Sequence, residues 1–258
     1  MGSSLSRVAA VAANTYRETV RERVLYNLVF FALLMMVSGL LMRQLSIRQD
    51  EKIIKDIGLA AMDVVGTLIA VFIGVGLVSK EIERRSLYPL LAKPLGRGEF
   101  IVGKFAGLGF TLLVNVAVMT AGLYLTLALT GRATDPNLLK AVYGIFLGLL
   151  LVVALALLFS TLTSAVIAAV GTAIVVVAGR FSDVIHNMKE VAPGAPSWLA
   201  PALYYLLPNF RDFDLKSRVV HFDPVPLSEL GWITLYAALY LGFALGLALV
   251  AFRSRELV

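Results

Sequence analysis

Apolar residues in this chain run in long blocks, and polar ones collect between them. Six blocks reach membrane length: Val24–Met42, Gly58–Ser79, Phe105–Thr130, Ala141–Phe159, Leu162–Gly179 and Gly231–Phe252. A helix rises about 1.5 Å per residue, so a hydrocarbon layer of about 30 Å is crossed by about 20 apolar residues. No block alternates with period two, which excludes a β-barrel. The fourth and fifth blocks are parted only by Ser160 and Thr161, enough for a tight turn. One helix through both would overshoot a bilayer about twofold, so the pattern predicts two spans there. The expectation is an all-α integral membrane protein, one transmembrane domain over residues 1–258 with six spans.

The segments between the blocks carry their own patterns. In residues 1–23, Leu5, Val8, Ala12, Tyr16 and Val20 recur at spacings of three and four, with Arg7, Asn14, Arg17 and Arg21 mostly opposite. This predicts an amphipathic helix in the membrane interface, with a solvated helix leading into the first span as the plainer reading. Residues 80–104 begin with a charged half from Lys80 to Arg85. An apolar patch Leu87-Tyr88-Pro89-Leu90-Leu91 follows, and Pro94, Gly96 and Gly98 then interrupt the chain. A short amphipathic helix closed by a Pro/Gly turn is predicted, with a soluble partner docked on it. Residues 180–230 form a long segment. Its uncharged, proline-broken stretch Pro196–Phe210 is too short to span, but suits an interfacial or re-entrant helix pair before the last span. It serves as a structural cap, an exit gate or a surface for an outer-face partner.

Composition narrows the class. Hydrophobic residues make up 59% and charged ones 16%, against roughly 25% charged in an average soluble domain. A soluble globular enzyme and a disordered chain are both excluded. The net charge of +6 reads, in such a chain, as basic loops against anionic headgroups rather than as nucleic-acid binding. With the N-terminus inside, the inner segments hold 12 basic and 6 acidic residues, and the longer outer ones 11 and 10. Density, and the six basic residues within 80–104, place both termini in the cytoplasm. The first block has no cleavage site after it and is too long for a signal peptide. The start Met1-Gly2-Ser3-Ser4-Leu5-Ser6 fits a myristoylation pattern that many chains carry by chance.

Candidate chemistry is sparse. Cysteine is absent, so no disulfide or thiolate site exists. Gly98 to Phe105 approximates a phosphate-binding loop, but Phe105 stands where a Mg²⁺-holding hydroxyl is needed, and no nucleotide site is expected. His186 and His221 are isolated and suit capping better than a metal. Asp63 is the sole acidic residue within a span, near its outer end, and is read either as a capped carboxylate or as part of a pathway or gate. Asn115 and the interfacial Tyr204 and Tyr205 complete the candidate pathway. A carrier driven by ions would bury several polar groups at the midplane, which this chain lacks. The energy for any transport is therefore expected from another subunit. Small residues Gly144, Gly148 and Ala154 on the fourth span, with Ala165 and Gly171 on the fifth, are expected to allow close helix contact in a dimer.

The order Glu83-Arg84-Arg85-Ser86-Leu87, Leu90-Leu91, Lys93-Pro94, Arg97 and Gly103-Lys104 resembles the permease subunits of ABC transporters of the ABC-2 type. The basic ending Phe252-Arg253-Ser254-Arg255-Glu256-Leu257 and the architecture over nearly the whole chain are similar too. One departure is that a Gly-Thr pair common in the family reads Arg85-Ser86 here. The resemblance implies two permease copies, most simply a homodimer, with two ABC ATPase subunits in trans beneath them. ATP and Mg would lie on the partner ATPase, and no cofactor on this chain. Glu81, Glu83, Arg84, Arg85, Leu87, Leu90, Leu91, Lys93, Pro94 and Arg97 would form the coupling contact with the ATPase. The implied setting is a prokaryotic inner membrane and the implied activity export. A non-transporting scaffold that anchors a complex and a secondary carrier are the alternatives.

Overall fold

The computed structural model describes residues 4–21, 31, 50–83, 96–131, 135–186 and 198–254. Every regular element among them is helical. The elements are α1 (Ser4–Arg21), α2 (Asp50–Glu83), α3 (Arg97–Leu129), α4 (Leu138–Leu162), α5 (Ala165–Arg180), α6 (Ser182–His186) and α7 (Leu199–Leu206). A 3₁₀ turn at Phe210–Phe213 leads to α8 (Lys216–Val220) and α9 (Leu227–Ser254). Among the described residues, four helices are long and apolar enough to cross a membrane: α2 over Glu51–Gly76, α3 over Gly98–Leu129, α4, and α9 over Leu227–Phe252. Helix α5 is apolar but shorter, at 16 residues. The first expected span, 24–42, lies outside the described residues except for Phe31, which packs beside Gly122 of α3.

Helices α2 and α3 have 34 and 33 residues. At about 1.5 Å per residue each is roughly 50 Å long, well beyond a hydrocarbon layer of about 30 Å. Their charged ends, Glu51 to Asp56 and Arg97 to Lys104, are thus continuations of spanning helices rather than loops. The break between α4 and α5 falls at Thr163 and Ser164, not at Ser160 and Thr161. The latter two stay helical and buried because their hydroxyls donate to the carbonyls of Leu157 and Leu158.

Helix α4 is the centre of the bundle, and its buried positions surround the whole helix. A helix that is apolar on all sides belongs in such a place. Leu149, Leu151, Val153 and Leu155 join one core with Leu59, Met62 and Ile69 of α2 and Leu108, Leu112 and Met119 of α3. The two ends of the bundle differ. At one, here the terminal end, α1 lies against the start of α3, and Phe100 stacks on Phe252 near the end of α9. At the other, the strap end, the segment 206–226 crosses over α2, α4 and α5.

Helix α1 packs on a face rotated from the expected one and sharing Val8, Ala12 and Tyr16 with it. Thr15 and Thr19 are fully covered, with Val8, Val11 and Ala12 partly so, while Leu5 is 82% exposed. The reason lies on α3, where Gly103 and Gly107 leave a trough one turn apart. Val11 fills the trough at Gly103, and Ala12 and Thr15 fill it at Gly107. A small-x-x-x-small pair permits this close approach, so shape rather than hydrophobicity selects the packed face. Thr15 and Thr19 enter without an unmet polar group, since each hydroxyl donates to the carbonyl four residues earlier.

Candidate functional site

Among the described residues, two regions concentrate charge, one at each end of the bundle. At the strap end, Asp63 of α2 is held by two cations from elsewhere in the chain. Arg180, the last residue of α5, forms a bidentate pair with it at 2.8 Å for both bonds and adds a bond to Thr67 at 3.0 Å. Lys216, at the start of α8, donates to the same carboxylate at 2.7 Å. The side chains of Asp63 and Lys216 are each only 15% exposed. A charge at this depth is costly unless paired, and three charged groups satisfy one another here. A cavity of about 100 Å³ lies beside them, lined by Asp63, Thr67, Gly148, Phe213 and Lys216 among others.

The segment over this cavity is seated by glycines. A Cβ at Gly144 would come 2.5 Å from the Phe213 carbonyl oxygen, and one at Gly179 would overlap the Pro208 carbonyl oxygen. Gly148 gives room to the Phe213 side chain. Phe210 and Phe213 are both buried. The glycines expected to serve contact between two copies at Gly144 and Gly148 are therefore occupied within the chain, while Gly171 packs against Phe159. Nearby, burial pushes the Asp212 carboxyl above its ordinary value, with Arg211 opposing and Glu229 reinforcing the shift. Arg211 itself pairs with Asp183, and Arg218 with Glu229. Beyond them Lys55, with a fully buried side chain, pairs with Glu51 at 2.6 Å and lies 4.7 Å from the centre of the Phe222 ring. Phe222 adopts a positive φ of 62° to present that ring.

At the terminal end, Glu99 in the first turn of α3 gathers four donors. These are the Ser4 hydroxyl at 2.6 Å, two Arg7 nitrogens at 2.9 and 2.7 Å and the Gly96 amide at 3.1 Å. A carboxylate at this position also meets the positive end of the helix dipole. Lys104 is buried with its amine near Glu18 and over the Phe100 ring. The stretch Gly98 to Phe105 that approximates a phosphate loop is thus continuous helix, and its lysine is enclosed.

The coupling residues predicted from sequence flank a stretch outside the described residues. Glu81 and Glu83 fall in the last turn of α2, and Arg97 is the first residue of α3. Arg84, Arg85, Leu87, Leu90, Leu91, Lys93 and Pro94 lie outside the described residues. Of the candidate pathway residues, only Asp63 lines the cavity. Asn115 is buried on α3, with its amide nitrogen bonded to the Thr111 carbonyl and its Oδ1 without a partner among the described residues. Tyr204 and Tyr205 meet edge to face on α7, with Tyr205 82% exposed. His221 bonds the Ser217 carbonyl oxygen at 2.8 Å, within its own turn.

Sequence reading missed Arg180, Lys216 and Glu99. Arg180 was detectable as a charge closing a span at the outer side, where Asp63 was also expected. The trough for α1 was detectable as Gly103-x-x-x-Gly107. Nothing local marked Lys216, because its partner is 153 residues away.

No curated protein matches this chain. The family described as ABC-2 family transporter protein matches residues 9–194, well over half the chain and from α1 past α6. With four helices of membrane-crossing length among its described residues, the protein belongs to the ABC-2 family of transporter membrane proteins, as a permease component.

Proposed function

We propose that this chain is the membrane permease of an ATP-driven exporter whose ATPase subunits are separate chains. The observation that carries the reading is the family match over residues 9–194 on a chain of membrane-length apolar helices. Two copies form the transporter, most simply as a homodimer in a prokaryotic inner membrane with both termini in the cytoplasm. ATP and Mg are held by the ATPases.

The coupling contact is residues 81–97. Leu87, Leu90 and Leu91 lie at helical spacing and form an apolar ridge for a groove on the ATPase. Glu81, Glu83, Arg84 and Arg85 border the ridge and set register and partner choice. Lys93, Pro94 and Arg97 close the link to α3. The gathering of α1, the start of α3 and the end of α9 at one end of the bundle supports this reading, since movement delivered at 81–97 then meets a braced lever. Asp63 belongs to the gate at the opposite end, with Asn115, Tyr204 and Tyr205 along the route between.

The test is co-expression with ABC ATPases of the same genome that carry a Walker A and an ABC signature sequence. Joint purification from membranes is expected, with ATP hydrolysis that changes when the permease is present. An ATPase that neither binds the chain nor responds to it would defeat the proposal and favour a scaffold.

A further inference from the structure

The segment 206–226 is built to lift as a unit. Apart from the Pro226 carbonyl, which accepts from Glu229 and Leu230 at the start of α9, its backbone hydrogen bonds among the described residues close within the segment or to the preceding turn. Leu207 donates to Leu203, Asp214 to Arg211, Leu215 to Phe213, Val219 to Leu215 and Asp223 to Arg218. Its other ties to the spanning helices go through side chains. The Tyr240 hydroxyl donates to the Leu206 carbonyl at 2.5 Å, and the Asn209 amide donates to the Tyr236 hydroxyl at 2.9 Å. Lys140 donates to the Val225 carbonyl at 2.8 Å. In the middle Lys216 is tied to Asp63, and Arg218 pairs with Glu229 at the start of α9.

We infer that 206–226 is a strap closing the strap end of the transport route, and that the carboxylate of Asp63, shared by Arg180 and Lys216, is its lock. The inference rests on the transport reading and adds the gate's moving part and its release. Lifting the strap breaks side-chain ties and leaves its internal turns intact. The apolar residues it withdraws, Phe210, Phe213 and Val219, can pass into hydrocarbon, which is as apolar as the core they leave. Asp63 is the sensitive point because its one carboxylate bridges both cations, with Asp214, 3.5 Å from the Lys216 amine, as the other acid beside them. Without its charge, Arg180 and Lys216 face each other across a largely enclosed site, and repulsion replaces attraction.

The test uses thiols, since the chain has no cysteine. Val219, 1% exposed on α8, is changed to cysteine in the full chain with its ATPase in nanodiscs. Its reaction with a membrane-impermeant maleimide then reports strap opening. Asp63→Asn should speed modification at least tenfold without nucleotide, and Asp63→Glu should not. Lys216→Gln serves as the second variant should Asp63→Asn fail to fold. ATP turnover should also speed modification. A second staple variant tests the movement itself. A Cβ at Gly148 lies 3.6 Å from the Phe213 Cβ, within the roughly 3.5–4.5 Å of a disulfide. The oxidised pair from Gly148→Cys and Phe213→Cys should abolish the ATP-dependent rise, and reduction should restore it. Rates within twofold of the parent in both lock variants would overturn the lock, and rates indifferent to ATP turnover would overturn the gate. Loss of ATPase binding would instead strike the transporter reading, while the nucleotide-free comparison still judges the lock.

Discussion

Substituting Gly107→Ala isolates the steric basis of the contact between α1 and α3. The new Cβ would lie 2.6 Å from the Ala12 carbonyl oxygen and 2.7 Å from the Thr15 Cβ, where ordinary contact starts at 3.4 Å. The Ala12 oxygen is backbone and cannot rotate aside, so α1 must move off by about 1 Å, which forfeits a quarter to a half of each contact's attraction. Overpacking of this kind costs about 1–3 kcal/mol. The hydroxyls of Thr15 and Thr19 bond within α1 and move with it, while the bonds from Ser4 and Arg7 to Glu99 must stretch as α1 shifts. The cost falls on docking of α1, and a change of one or two kcal/mol shifts such an equilibrium by a factor of about 5–30. Hydrogen exchange in detergent or nanodiscs should therefore show amides of α1 exchanging about 5–30 times faster, with α4 unchanged. Gly242→Ala is the control, since a Cβ there meets nothing within 4 Å. Exchange in α1 within twofold of the parent would refute the argument, as would equal acceleration in α4.

Three further outcomes are expected. Leu90→Asp places an unpaired charge at the centre of the proposed ATPase contact, typically several kcal/mol; it should insert normally yet fail to co-purify with the ATPase, and normal binding would remove the coupling role of that loop. Lys55→Met leaves Glu51 and Asp135 without their shared cation, a loss of about 1–3 kcal/mol, seen as a lower midpoint of thermal unfolding in detergent. Reporters fused at Val258 and inserted at Gly131 should read opposite sides of the membrane, with Val258 in the cytoplasm; the same side for both would contradict the crossing by α3.

The sequence by itself determined the class of protein and the stretches that form the four membrane-length helices among the described residues. Twenty apolar residues in a row have one low-energy use, a helix in hydrocarbon, and no distant contact is needed to decide it. The turn after the fourth span was legible to within three residues, its place shifted because Ser160 and Thr161 bond their own helix. The order of charged, apolar and turn residues in 80–104 was likewise enough to suggest the family that residues 9–194 match. Tertiary structure alone decided which face of α1 is buried, because the trough that selects Val11 and Thr15 lies on another helix. It also decided what Gly144 and Gly148 are for, since a glycine shows where close approach is possible but not what approaches. The partners of Asp63 were decided in the same way: an ion pair depends on distance in space, and Lys216 reaches Asp63 only once 206–226 has folded back over α4.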